Sequence, residues 1–303
     1  MKKLITILGP TATGKTALAA NLASVINGEI ISADSRQIYR GMNIGTGKDL
    51  ADYFVNSKQI PYHLIDIANP GYRYNVFEFL GDFSSAFKGI TNEGHTPILC
   101  GGTGMYLDAV LRDYNLGKVN ENEQLRKQMA SLSHEELITK LVTYGPLHNV
   151  SDTLDRERLI RSIEIADYQA KHTEITLNLP TFSSIVFGIN FDREIIRARI
   201  TKRLKTRLNE GMIQEVKKLL ASGITPEQLM YYGLEYKFVT LFVTGEITSI
   251  NMFEKLNIAI HQFAKRQMTW FRRMEKKGIE INWVDGTNNL DDKISIILKK
   301  INE

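Results

Sequence analysis

The stretch Leu4-Ile5-Thr6-Ile7-Leu8-Gly9-Pro10-Thr11-Ala12-Thr13-Gly14-Lys15-Thr16-Ala17-Leu18-Ala19-Ala20-Asn21-Leu22-Ala23 decides the fold. An apolar run of strand length leads into Gly9–Thr16, and a helix-prone run comes after it. The phosphate-binding pattern therefore stands in the strand, loop and helix context that gives it meaning. Its two glycines let the backbone wrap a diphosphate so that successive N–H groups meet the oxygens, with the amino end of a helix dipole behind them. Lys15 adds a positive charge and Thr16 offers a hydroxyl to Mg²⁺. A bare glycine turn would have no use for Lys15 and Thr16 beside Gly14. The loop recognises a diphosphate group and not ATP as such, so whatever is attached to that group must be read elsewhere in the chain.

Working outward, 303 residues accommodate one large α/β domain or two smaller ones. At 43% hydrophobic and 24% charged residues, the composition is that of an ordinary globular chain with a sizeable core, which excludes fibrous and disordered classes. Cys100 is the single cysteine, so no internal disulfide forms and a reducing, cytoplasmic compartment fits. Lys2-Lys3 before Leu4–Leu8 imitates a signal peptide, but the apolar run ends at Gly9-Pro10 and the phosphate loop occupies the next residues. No segment is long enough to span a membrane. A net charge of +4 permits a nucleic-acid partner without demanding one.

Short apolar runs alternate with helical patterns along the chain, as a parallel sheet with crossover helices requires. The expected strands are Leu4–Leu8, Glu29–Ala33, His63–Ile67, Pro97–Cys100 and Ile185–Ile189. Their carboxyl ends carry the phosphate loop, Asp34, Asp66, Gly101-Gly102-Thr103-Gly104 and Asn190 to Asp192, and such ends converge on one crevice in open α/β sheets. From about Asn115 to Pro180 the strand signal disappears and charged helices take over, at roughly Glu121–Tyr144 and Leu154–Lys171. Helices return at Asp192–Ser222 and Thr248–Lys277, followed by a strand at Ile279–Val284 and a closing helix. The reading is an α/β fold: a P-loop NTPase-like parallel sheet with flanking helices, formed by residues 1–114 and 181–303, carrying a helical insertion domain at 115–180.

Asp34 stands at the tip of the strand after the phosphate-loop helix, within reach of whatever the bound phosphate carries. It is a candidate base, and equally a candidate helix cap or a positioner of Mg²⁺ through water. Arg36, Gln37, Tyr39 and Arg40 add donors and an aromatic face suited to a nucleobase and its phosphates, although a solvated polar loop has the same composition. Gly101-Gly102-Thr103-Gly104 marks either a close approach of backbone to ligand or a tight turn. Arg199, Arg203 and Arg207 share one helical face, usually a solvated one, of which only an arginine at the crevice end would reach an anion. On the last long helix Phe263, Gln267, Trp270, Phe271 and Met274 share one side, and Lys265, Thr269, Arg272, Arg273 and Lys276 another. That basic stripe suits either nucleic-acid contact or an ordinary amphipathic surface.

Four motifs in this order, Gly9–Thr16, Asp34-Ser35-Arg36-Gln37-Ile38-Tyr39-Arg40-Gly41-Met42, Gly101-Gly102-Thr103-Gly104-Met105-Tyr106-Leu107 and Lys265-Arg266-Gln267-Met268-Thr269-Trp270-Phe271-Arg272, resemble the tRNA dimethylallyltransferases, also called tRNA isopentenyltransferases. The resemblance runs from about Leu4 to Arg273, with weaker matches at Arg156–Arg161 and Gly233–Lys237. Thr13 replaces the family's usual Ser, Gly47-Lys48-Asp49 a more usual Ala-Lys-Pro, and Ser162-Ile163-Glu164 a common Ala-Leu-Glu. The conformation of the Gly47–Asp49 loop is therefore not carried over from the family.

The resemblance implies transfer of a dimethylallyl group from its diphosphate to N6 of the adenosine immediately 3′ of the tRNA anticodon, by a chain acting as a monomer. It makes Asp34 the base, Thr103 the group that orients it, and Arg203 a second diphosphate clamp beside Gly9, Pro10, Thr11, Ala12, Thr13, Gly14, Lys15 and Thr16. Thr16 is the metal-binding residue, for Mg²⁺. The adenosine must leave the anticodon stack to react. Asp34, Ser35, Arg36, Gln37, Thr103, Arg126, Arg158 and Arg161 are the implied tRNA contacts, with Lys265, Arg266 and Arg272 on the RNA backbone. Three rivals use the same loop: a small-molecule kinase, an ATP-switched RNA-binding module, and an enzyme prenylating free adenine nucleotides. The kinase leaves the basic last helix without a role, the module yields no product, and the insertion is larger than a mononucleotide needs.

Overall fold

The computed structural model describes residues 2–114, 119, 121–145, 155–171 and 178–303. The chain divides into two compact units, residues 1–113 with 179–303, and residues 114–178. In the larger unit β1 (Lys2–Leu8), α1 (Lys15–Ile26) and β2 (Gly28–Ala33) come first. A 3₁₀ turn at Leu50–Tyr53 and a small hairpin of β3 (Phe54–Val55) and β4 (Lys58–Gln59) lead to β5 (Tyr62–His63). Next are α2 (Val76–Asn92), β6 (Thr96–Gly101) and α3 (Gly104–Leu111). After the smaller unit the chain resumes with β7 (Phe182–Asn190), and β8 (Ile281–Asp285) completes the sheet late in the sequence. The six-stranded sheet has the order β5-β2-β6-β1-β7-β8, and every pairing in it is parallel.

The central strands read as continuous apolar runs because both their faces are covered. Every residue of β2 is buried. On one side α1 and the closing helix, Leu290–Asn302, pack Leu18, Leu22, Ile294 and Ile297 with Ile5, Ile7, Ile30, Ile98 and Phe187. In register, Ala33 and Leu8 both lie beside Gly101, so the chain ends that leave β2, β1 and β6 emerge side by side.

Three expectations change. The strand expected at His63–Ile67 ends at His63, because Leu64 and Asp66 adopt left-handed backbone (φ 63° and 56°) that no ladder tolerates. Instead Asp66 N–H donates to Gln37 O and Ala68 N–H to Ile38 O, lacing this segment to the loop after β2. The single helix expected over Asp192–Ser222 is two, Arg193–Asn209 and Met212–Ala221, separated at Gly211 with φ 106°. Likewise Glu121–Tyr144 is two helices, Glu123–Ala130 and His134–Val142. Ser133 starts the second with a capping box to Glu136.

The smaller unit adds Arg156–Lys171 as a third described helix, its expected start at Leu154 lying outside the described residues. Leu125, Met129, Leu137, Leu159, Ile160 and Ile163 form the core of this unit. Numbered in chain order, its helices are α4, α5 and α6, and those of the larger unit continue as α7 (Arg193–Asn209), α8 (Met212–Ala221), α9 (Pro226–Tyr231), α10 (Leu234–Val243) and α11 (Ser249–Lys276). Helices α7 to α11 enclose a second core, where Leu204, Met212, Tyr236, Leu256 and Ile260 meet Ile38, Tyr39 and Met42 from the loop after β2.

Candidate active site

The phosphate loop joins β1 to α1, and its backbone is left-handed at Ala12 (φ 65°) and Gly14 (φ 80°), the kind of alternation that turns successive N–H groups toward one point. The Thr13 hydroxyl donates to Pro10 O (2.9 Å), and Arg199 Nε donates to Ala12 O (2.8 Å), which holds the non-glycine left-handed residue. Helix α1 has neither a side-chain cap nor an acidic residue in its first turn, so its amino end keeps its positive field for a ligand. Lys15 folds back until Nζ lies 3.5 Å from Pro10 O. Burial draws its ammonium below the ordinary lysine range, against the opposing pull of Cys100 and Asp34. The Cys100 thiol behind the loop is itself pushed up to about 12 by burial, so it stays neutral.

At the end of β2 the Asp34 carboxylate accepts from Arg36 N–H (3.0 Å) and closes a turn; no α-helix begins there for it to cap. Thr103, following β6, ties the two strand ends together. Its hydroxyl oxygen accepts from Ser35 N–H (3.0 Å) and lies 3.3 Å from the Ser35 hydroxyl, while its own N–H donates to Ala33 O (3.2 Å). Arg36 pairs with Glu235 (3.2 Å) and lies over the Phe263 ring at 4.8 Å. Gln37 Nε2 donates to Gly47 O (3.0 Å), and Gln37 Oε1 accepts from the Ser32 hydroxyl (3.3 Å).

The arginine face of α7 is not a solvated stripe. Arg203 Nη1 donates to the Thr11 hydroxyl of the loop (3.3 Å), and Arg203 Nη2 pairs with Asp49 at 3.1 Å. Arg207, buried, pairs with the same carboxylate at 3.2 Å. Burial, and after it the charge of Arg207, lowers the Arg203 pKa from its ordinary value. Arginine remains protonated regardless.

Helix α11 supplies a residue that sequence reasoning placed only on an apolar side. Gln267 is buried in the larger unit; its Oε1 accepts from Thr11 N–H (2.9 Å) and its Nε2 donates to Gly102 O (2.8 Å). One amide thus fastens the phosphate loop to the end of β6. The glycines opposite make room for this helix: a Cβ at Gly102 would lie 2.5 Å from Gln267 Nε2, and one at Gly104 2.3 Å from Trp270 Cγ. Lys265, Arg266 and Arg272 are exposed on the same helix. Two further residues carried no local signal. Asp49 was visible only as a departure from the family pattern. Glu215 of α8 accepts from Asn43, Ile44 and Gly45 N–H (2.8 to 3.0 Å) and fixes the loop that leads to Asp49.

Within the smaller unit Arg126 and Arg161 converge on buried Glu164, with contacts of 2.8 and 3.0 Å, and Arg161 also donates to Val119 O (2.5 Å). Arg158 is exposed.

Residues 37–274 match the family model described as IPP transferase, and residues 2–63 the model described as isopentenyl transferase. A Bacteroides fragilis protein named tRNA dimethylallyltransferase 2 is 55% identical over 300 residues, 99% of this chain and 98% of its own length. A Parabacteroides distasonis protein named tRNA dimethylallyltransferase 1 is 54% identical with the same coverage, 99% and 98%. The crystal structure of a full-length tRNA isopentenylpyrophosphate transferase from Bacillus halodurans matches with a TM-score of 0.73 at 32% identity, covering 99% of this chain and 96% of that one.

Proposed function

This chain belongs to the IPP transferase family, and we propose that it transfers a dimethylallyl group from dimethylallyl diphosphate to N6 of the adenosine 3′ to the anticodon of tRNA. The observation that carries the reading is the meeting of two chemistries in one crevice. A diphosphate cradle with Lys15 and Arg203 on it follows the end of β1, and the Asp34 carboxylate follows the end of β2, two strand ends that both lie beside Gly101 of β6.

In the proposed reaction the adenine N6 lone pair attacks the allylic carbon while the bond from that carbon to the diphosphate oxygen breaks. The electron pair leaves with diphosphate, and loop N–H groups, Lys15 and Arg203 receive the developing charge. Asp34 takes the proton released by N6. Thr103 acts by holding the turn of Asp34 and Ser35 against the end of β6, which keeps that carboxylate aimed. Ser35, Arg36, Gln37, Arg126, Arg158, Arg161, Lys265, Arg266 and Arg272 are the proposed RNA contacts, which predicts tRNA binding that weakens with salt.

Prenyl transfer from a diphosphate suits a divalent metal, and we assign Mg²⁺. The donors present fit it. Thr16 offers a half-buried hydroxyl oxygen in the first turn of α1, the kind of donor a hard cation prefers. When bound it would neutralise charge on the diphosphate. Among the described residues no helix is long and apolar enough to cross a membrane, and a cytoplasmic monomer is part of the same reading.

The test is to incubate the protein with Mg²⁺, dimethylallyl diphosphate and unmodified tRNA and to analyse digested nucleosides by mass spectrometry. A prenylated adenosine mapped beside the anticodon is the expected product. Its absence with folded protein and intact tRNA overturns the reading.

A further inference from the structure

Asp49 occupies an unusual place for a carboxylate. It sits on Arg203, assigned above to the diphosphate, and on the neighbouring Arg207, accepting from Arg203 Nη2 (3.1 Å) and from Arg207 Nη2 (3.2 and 3.3 Å). The two sides of this contact differ in freedom. The Arg207 side chain is 10% exposed, and Asp49 is its only ion-pair partner among the described residues, whereas the Asp49 side chain is 51% exposed. A buried guanidinium requires a counter-charge, and this one is supplied by a group that can leave.

The loop itself stays anchored if Asp49 swings away. Lys48 Nζ, fully buried, donates to Tyr39 O (2.8 Å), Asn43 Oδ1 (3.1 Å) and Asp66 Oδ1 (2.5 Å). Gly47, with φ 69°, lies so close to the arginines that a Cβ there would fall 2.2 Å from Arg207 Nη2 and 2.4 Å from Arg203 Nη2. Arg203 thus lies between this loop and Thr11, and the Asp49 carboxylate is the most exposed member of the cluster.

We propose that Asp49 is an internal competitor that tempers the donor site: its carboxylate occupies Arg203 and Arg207 until a ligand bearing a second phosphoryl group displaces it. The inference rests on the donor-site reading above. A single phosphoryl group seated in the Gly9–Thr16 loop satisfies the loop amides and Lys15 and leaves Asp49 where it is. A diphosphate has a further charged group to offer the arginines, and it replaces one carboxylate charge by more than one. Asp49 therefore weakens diphosphate binding by what its displacement costs, leaves monophosphate binding nearly untouched, and returns to the arginines as product diphosphate departs.

The experiment measures binding of inorganic diphosphate and of inorganic phosphate, in the presence of Mg²⁺, to the wild-type chain, Asp49→Asn, Asp49→Pro and Arg203→Ala. The proline variant guards against misfolding of the asparagine one. Asp49 has φ −77°, which proline adopts.

Wild type should prefer diphosphate strongly. Both Asp49 variants should bind diphosphate about tenfold more tightly, the scale of one displaced charge contact, with phosphate binding within about twofold of wild type, so that the diphosphate preference rises. Weaker binding of both anions, or a diphosphate preference that is unchanged or falls, would make Asp49 a mere prop for the arginines and overturn the proposal. If wild type binds neither anion, or Arg203→Ala binds diphosphate as wild type does, the donor-site reading itself fails and the proposal with it.

Discussion

Gln267→Leu removes the amide that joins the phosphate loop to the end of β6 and keeps most of the side-chain volume. Two backbone groups lose their partner, Thr11 N–H at 2.9 Å and Gly102 O at 2.8 Å, the second in a fully buried contact. Each orphaned group costs about 1–3 kcal/mol, and the relief of burying leucine instead of an amide offsets part of that. The net loss is about 2–3 kcal/mol, which for a unit of this size lowers Tm by roughly 4–12 °C. The same change releases Thr11, whose hydroxyl accepts from Arg203 at 3.3 Å. The KM for dimethylallyl diphosphate should therefore rise about tenfold, as about 1.4 kcal/mol of lost positioning implies, while tRNA affinity holds.

Calorimetric unfolding and donor-dependent prenylation together test this. A Tm within about 1 °C of wild type, with unchanged donor KM, would show that the loop is held by other contacts and refute the reasoning. Gln267→Glu sharpens the test. Its carboxylate still accepts from Thr11 N–H but faces Gly102 O with no proton to donate. Its cost should shrink as pH falls and the protonated carboxyl regains a donor, whereas the leucine variant has no such pH dependence.

Asp34→Asn should lower single-turnover prenylation by about 10²–10⁴ while leaving tRNA affinity within a few-fold, and a near-normal rate would remove Asp34 as the base. Lys15→Ala and Arg203→Ala should each raise the donor concentration needed for half-maximal rate; an unchanged donor curve would detach them from the diphosphate. Glu29, at the far end of β2, supplies a pH prediction. Burial raises its pKa, but the contacts from His63 Nε2 (2.7 Å) and from His95 outweigh it and hold the carboxyl below its ordinary value of 4.5. A depressed native pKa stabilises the fold above the unfolded value and loses that stabilisation as pH falls through the native one. Denaturant midpoints measured from pH 6 down to pH 3 should fall less steeply in Glu29→Gln than in wild type; parallel curves would refute the linkage.

What could be read from sequence was whatever local chemistry dictates. The strand, loop and helix from Leu4 to Ala23 are contiguous, so glycine freedom, Lys15 and Thr16 declare the loop without help from the rest of the chain. Helix breaks were in principle equally local. Ser133 with Glu136 is a capping box, and Gly211 is free to take φ 106°, but charged periodicity on either side hid both. The third strand failed for the opposite reason. His63–Ile67 has strand-like composition, yet Leu64 and Asp66 turn left-handed to lace onto Gln37 and Ile38, a tertiary contact that overrides propensity.

The arginines of α7 mark where locality ends. Their spacing puts Arg199, Arg203 and Arg207 on one face, but whether that face meets water or the phosphate loop depends on partners far away in sequence. Asp49 is 154 residues from Arg203, and Gln267 is 256 residues from Thr11. Nothing in a window around either end distinguishes a solvated stripe from an anion site, since the same residue types serve both. The distinction is made by the sheet, which brings the ends of β1, β2 and β6 side by side and leaves α7 and α11 to close over them. A carboxylate that enters such a place must either pair permanently with the arginines or compete for them. The exposure of Asp49, set against the burial of Arg207, is what selects competition.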